Sequence, residues 1–160
     1  PMARIDNNLS LFINNSNMIL YKLINDQEIK ILGSVVYYFN KTCKGIKIAQ
    51  SVSEEGYGPL IYDLLMSKTQ QPVIPSNSLT KAALNFWLKT FSMSEKYNFI
   101  DLEGVEESCQ PPDMRLRNKG ITIKQPLNYQ QLVNNHNKNN VDGKILIKLA
   151  EELFDEKYLT

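Results

Sequence analysis

The chain has 160 residues, 42% of them hydrophobic and 22% charged, with a formal net charge of +1. Such a length makes one domain around one core, residues 1–160, and the near-neutral balance excludes a protein that works through a global positive field, so strong nucleic-acid binding is not expected. The absence of an apolar run of about 18 residues excludes a membrane-spanning helix, and two distant cysteines, Cys43 and Cys109, without a CxxC or a histidine at ligand spacing, exclude a structural zinc site. With no signal-peptide pattern at the start, the chain reads as cytoplasmic with both thiols reduced.

Strand signals fill the first third. "NLSLFIN" (8–14), "NMILYKLI" (17–24), "IKILGSVVYYF" (29–39) and "GIKIAQSV" (45–52) are rich in β-branched and aromatic residues. Short Asn, Asp and Lys clusters separate them at hairpin spacing, and Asn and Asp tolerate left-handed backbone and form their own side-chain turns. An antiparallel meander of three or four strands follows.

The pattern changes at Pro59. Leu60, Ile61, Leu64 and Leu65 form a helical stripe, and Pro59 suits the first helical turn, where its missing N–H costs nothing. "QPVIPS" (71–76) is a short buried strand between prolines. "SNSLTKAALNFWLKTF" (76–91) is a second helix, capped by Asn77 or Ser78, with Leu79, Ala82, Ala83, Phe86 and Trp87 on its core face.

"YNFIDLEG" (97–104) is a strand or an extended segment, and "EESCQPPDMRLRN" (106–118) is a loop in which the double proline blocks a helix. "GITIKQPLNYQQLVNN" (120–135) is one strand, or two broken at Pro126. "NNHNKNNVDG" (134–143) is an exposed, mobile loop, and "KILIKLAEELFDEKYL" (144–159) is an amphipathic terminal helix. The run Met114–Lys124 carries four positive residues and no acidic one, either a local basic patch or a solvated strand and turn.

The junction "SEEGYGPLIYD" (53–63) carries the strongest chemical signal. Two glycines at a strand-to-helix passage let a ligand approach the backbone, and the first N–H groups of the helix with its dipole favour an anion. The alternative is a tight turn without a ligand.

This order, a meander, a strand, Gly-x-Gly at a helix start, a short strand and a helix carrying "AALNFWLKTF", resembles the GNAT (Gcn5-related N-acetyltransferase) superfamily. The family signature Q/R-x-x-G-x-G/A falls on Ser53–Gly58, and a second family pattern is echoed by Ala83, Phe86, Trp87, Lys89 and Phe91. "GYGPLIYDLLM" is similar to a segment of small GNAT-like proteins encoded by bacteriophages. The similarity covers residues 17–92, and loosely "LNYQQ" (127–131).

The resemblance implies a mixed α+β fold, with a mostly antiparallel central sheet of 5–7 strands and helices on both faces. It implies acetyl-CoA or a related acyl donor, bound by Gly56, Tyr57 and Gly58 with Val52 and Trp87 nearby, and direct attack by an amine of a protein, a small molecule or a nucleobase. Glu54, Tyr37 and Tyr129 are the residues placed to assist proton removal. The chain departs from the family at Glu54 and Glu55, which put negative charge before the glycines, and at Trp87, which stands where the family carries a tyrosine acid. Those departures fit the alternative, a catalytically inactive phage accessory or virion-associated protein with a phage or host protein partner, placed in the infected bacterial cytoplasm or in the virion.

Four residues stand outside that scheme. Asp63 is a buried acid or a solvated helix carboxylate. Tyr38 lies opposite Tyr37 across the sheet, lining a groove or packing. His136 is a surface residue or a base, and Cys109 a structural residue or an acyl-carrying nucleophile.

Overall fold

The computed structural model describes residues 8–158; the last residue of the terminal helix read from sequence, Leu159, lies outside them. The meander forms as its alternation dictates. Strands β1 (Leu9–Ile13), β2 (Asn17–Asn25), β3 (Glu28–Asn40) and β4 (Gly45–Ser53) pair antiparallel in chain order. The first turn is built by Asn14, whose Oδ1 accepts from the N–H of Ser16 and Asn17 at 2.9 and 2.7 Å. Asn25 does the same for Gln27 at 2.9 Å.

Both faces of this sheet are buried. Met18 and Leu20 point to one layer and Ile19 and Tyr21 to the other, as alternation along a strand requires. The first layer is helix α1 (Gly58–Thr69) with the aromatic turn that follows helix α2; the second is α4 (Gly143–Tyr158), which lays Leu146 and Ala150 across β2 and β3. A mixed α+β architecture with helices on both faces results.

Helix α2 is short, Lys81–Asn85, and continues as a π-helical turn, Phe86–Phe91. Its cap is Thr80, whose Oγ1 accepts from the Ala83 N–H at 3.1 Å, and not Asn77 or Ser78. Strands β5 (Tyr97–Asp101) and β6 (Lys119–Ile123) make a separate two-stranded ladder. Val73 bridges to Ile46 of β4 in parallel and to Ile121 of β6 in antiparallel. Gly45 is essential to that contact: a Cβ there would lie 2.6 Å from the Pro72 carbonyl oxygen and 3.0 Å from Ile74 Cγ2. Gly45→Ala is expected to cost about 1–3 kcal/mol, because the obstruction is backbone and cannot rotate away; urea unfolding measures it, and loss of amide protection at Ile46 and Ile74 locates it.

The last third corrects the sequence in three places. No strand runs through 127–131 or beyond: β6 ends at Ile123, and helix α3 (Gln130–Asn139) occupies the segment read as a mobile loop. Its Asn- and Gln-rich sequence is a poor helix former, but docking on β1 overrides propensity. Asn135 Nδ2 donates to the Leu9 carbonyl at 2.7 Å and Asn139 Nδ2 to Ser10 Oγ at 2.8 Å, while Leu132 is fully buried. The thiols are not reduced either: Cys43 and Cys109, with Cα atoms 5.5 Å apart, form a disulfide between the β3–β4 turn and the double-proline loop. The basic run is locally paired, with Arg115 on Asp113 at 2.7 Å, Arg117 on Glu107 and Lys119 on Asp101. No described helix is long and apolar enough to cross a membrane.

Candidate functional site

After Ser53 the chain leaves β4 with the Glu54 N–H donating to the Leu32 carbonyl of β3 at 2.9 Å. It turns with the Tyr57 N–H donating to the Glu54 carbonyl at 3.0 Å. Gly56 has φ of 89°, a conformation that strains residues with a Cβ. Gly58 and Pro59 open α1, and no acidic residue lies in its first turn. Among the described residues no backbone hydrogen bond outside the helix engages the N–H of Gly58 or Leu60, the ordinary state of first-turn donors. A Cβ on Gly58 would lie 3.3 Å from Ser53 Oγ. Glu55 is exposed, whereas the Glu54 carboxylate lies 3.8 Å from Lys157 Nζ of α4, which offsets its charge beside the glycines.

The junction thus gathers Glu54, Gly56, Tyr57 and Gly58, as the sequence indicates. It does not gather the others. Tyr37 is buried and its hydroxyl donates to the Asn14 carbonyl at 2.8 Å; burial raises its pKa above the ordinary phenol value, so the phenol stays protonated and its proton is held by that carbonyl. Trp87 is buried in an aromatic cluster, its ring 5.0 Å from that of Phe91, on the core face that its helical spacing indicates. Tyr129 sits at the N-cap of α3, packed on the core, and not on a strand edge. Val52 is on β4 as expected, with its side chain buried.

Between the bridge at Val73 and the glycines, β4 acquires an unusual edge. Ile46 exchanges hydrogen bonds with the Val73 segment, donating to Pro72 at 2.7 Å and accepting from Ile74 at 2.9 Å. Beyond Ile74, no backbone hydrogen bond joins Ile48–Ser53 to the 75–80 segment among the described residues, and the two have parted. At the parting β4 bulges. Val36 pairs with Gln50 and Tyr37 with Ile48, which leaves Ala49 as an extra residue. Tyr62 of α1, which the sequence did not single out, hydrogen-bonds Ser51 on this stretch, and burial raises its phenol above the usual range.

A cavity of about 490 Å³ opens near the apex of the parting, lined by Lys47, Ile48, Ser76, Asn77 and Ser78 and by the disulfide. Lys47, 4% exposed, donates from Nζ to the carbonyls of Pro75 at 2.9 Å and Cys109 at 3.0 Å and to Asn77 Oδ1 at 2.6 Å. Burial lowers its ammonium below the ordinary lysine value. Lysine–hydrophobic alternation in "GIKIAQ" hides this residue from sequence inspection, since a lysine between two isoleucines reads as the solvent side of a strand.

Two further titratable groups are interior. Asp63, 0% exposed, receives Lys96 Nζ at 2.5 Å and the Tyr97 hydroxyl, so it is the buried acid and not a solvated carboxylate. His136 is half-buried, its Nδ1 2.7 Å from the Tyr21 hydroxyl and its ring edge-on to Phe12; burial lowers its affinity for a proton. Cys109, disulfide-bonded, is no free nucleophile. Among the described residues no three His, Cys, Asp or Glu side chains come together as a metal site. Comparison of the chain with protein-family models, with curated proteins and with solved structures finds no match.

Proposed function

We propose that the chain is a GNAT-type acyltransferase that moves an acyl group from acetyl-CoA, or a related donor, to an amine. The observation that carries this is the parting of β4 from the Val73 segment, with a bulge at Ala49 and an open helix start at Gly58 a few residues on. Isolated bridges at Val73 link β4, the edge of the four-stranded sheet, to β6 of the two-stranded one. That link supports the GNAT-like sheet the resemblance implies.

The residues suit the donor. The first-turn N–H groups of Gly58 and Leu60 face a pyrophosphate with the helix dipole behind them, and a side chain at position 58 would obstruct the approach. Bound there, acyl-coenzyme A would supply the acyl thioester, with coenzyme A thiol as the leaving group. The protein's share is to hold it by backbone amides and to keep the β4 edge between Ile48 and Ser53 open for its acyl end. Glu54, whose carboxylate lies 3.8 Å from Lys157 Nζ, is the residue that would take the proton of the attacking amine.

Calorimetry with coenzyme A tests the proposal: saturable heat is expected, and none at about 1 mM ligand, a level that detects binding as weak as about −4 kcal/mol, counts against it. Gly58→Val is expected to remove binding with the fold retained, because Ser53 Oγ can rotate away from the new Cβ while a bound phosphate cannot. A variant that loses stability and keeps its affinity would mark the junction as a turn.

One observation favours a second reading, a GNAT-like binding or structural protein of phage origin acting in the host cytoplasm or the virion. Tyr37 is committed to the carbonyl of Asn14, Trp87 to the aromatic core, and Tyr129 packs on the core at the start of α3, so none is placed to move a proton at the β4 edge. Coenzyme A binding without acyl transfer to an amine panel would select it.

A further inference from the structure

The cavity at Lys47 lies at the opposite end of β4 from the glycine junction and is built differently. Lys47 meets three acceptors at 2.6–3.0 Å, and only the ammonium form carries the three protons that those contacts require. Two of the acceptors are backbone carbonyls and the third is an amide, so a full positive charge is buried without a carboxylate to balance it. Such a charge is costly in a poorly solvated site.

The cavity walls sharpen this. They are lined by the hydroxyl-bearing residues Tyr38, Thr42, Ser76, Ser78 and Ser108, and by no acidic residue. Glu107, the acidic neighbour of Ser108 in sequence, is turned to Arg117. Asn77 fixes the geometry: its Oδ1 accepts from Lys47 while its Nδ2 donates to the Ser108 carbonyl, joining the two walls. A volume of about 490 Å³ is large enough for a small molecule.

We infer that this cavity binds the oxyanion group, phosphate or carboxylate, of a small molecule. Hydroxyls of the serine-rich walls donate to it, and Lys47 beneath supplies the counter-charge without touching it, its own protons being held by Pro75, Asn77 and Cys109. A bound anion would in turn favour the ammonium that burial disfavours. The inference does not rest on acyl transfer. Its test contains no coenzyme A, and the two can fail separately.

Proton–nitrogen NMR spectra of the full chain, titrated at constant ionic strength with inorganic phosphate in one arm and malonate in the other against a chloride control, decide it. Saturable shifts centred on the amides of Asn77, Ser78 and Ser108 are expected below about 20 mM in at least one arm, and the tighter arm assigns phosphate or carboxylate. Lys47→Met keeps the shape of the stem and removes the charge, and is expected to weaken binding about tenfold. Should that variant not fold, Ser78→Ala, at an exposed position, is expected to weaken it about threefold. No saturable shift at these amides in either arm, or saturable shifts that both variants leave unchanged, overturns the inference.

Discussion

Replacing Asp63 with alanine is expected to cost the fold roughly 3 kcal/mol, read as a shift in the urea midpoint at unchanged slope. Asp63 is the one carboxylate wholly inside α1, and it ties that helix to the start of β5 through Lys96 and the Tyr97 hydroxyl. Truncating one partner of a buried ion pair costs about 3–5 kcal/mol where the other charge is stranded. Lys96 keeps 38% of its side-chain exposure and can turn to water, which lowers the figure, but Tyr97 is buried and loses its acceptor. Asp63→Asn keeps the shape and one acceptor, and is expected to cost less.

The two variants also separate the charge from the packing. Burial raises the Asp63 carboxyl above its unfolded value of 3.8 more strongly than Lys96 and Tyr97 lower it. A folded state with the raised value binds more protons than the unfolded chain in the window above 3.8, so stability falls as pH rises through that window and levels off once the folded group has ionised. Wild type should therefore lose ground against Asp63→Asn as pH climbs from about 4, the reverse of the usual carboxylate behaviour. Parallel stability profiles for the two proteins, or an alanine variant within about 1 kcal/mol of wild type, would mean a solvated pair of the ordinary surface kind.

How much of this was legible depended on which force set each element. The meander was readable nearly to the residue, because alternation and Asn turns are local: "NMILYKLI" is β2 and "GIKIAQSV" is β4. The glycine junction was readable for the same reason, since Gly56 and Pro59 act on their own backbone. Helix α3 was hidden, because what holds "QQLVNNHNKN" is a set of amide bonds to Leu9 and Ser10 over a hundred residues away. Trp87 was legible as a core residue from its helical spacing and is buried as such, whereas the place beside the cofactor that the resemblance implies for it is not where it points. Lys47 escaped because a strand lysine reads as solvated by default, and Asp63, open between a buried acid and a solvated carboxylate, is decided only by its tertiary partners Lys96 and Tyr97. The residues chosen as helix caps, Asn77 and Ser78, turn out to line the cavity over Lys47.

Removing the disulfide, by reduction or by the double change Cys43→Ser and Cys109→Ser, is expected to cost about 2–4 kcal/mol. The bridge closes a segment of 66 residues, for which the chain-entropy estimate is about 4 kcal/mol, and a native state that relaxes on release lowers it. Release is local. Cys43 and Cys109 belong to a small cluster with Ile74, Leu102 and Val105, apart from the main core that Leu64, Leu65 and Phe91 build, so the reduced chain should remain folded. The loosened part is the double-proline loop, and with it the Cys109 carbonyl that accepts from Lys47. Reductant should therefore lower the urea midpoint of wild type to that of the serine variant, while leaving the serine variant itself unmoved. Amide exchange should quicken at Ser108 and Gln110 before it quickens in β2. A wild-type midpoint indifferent to reductant would show that the two sulfurs contribute only packing, and that the loop is held by Asn77 and Lys47 alone.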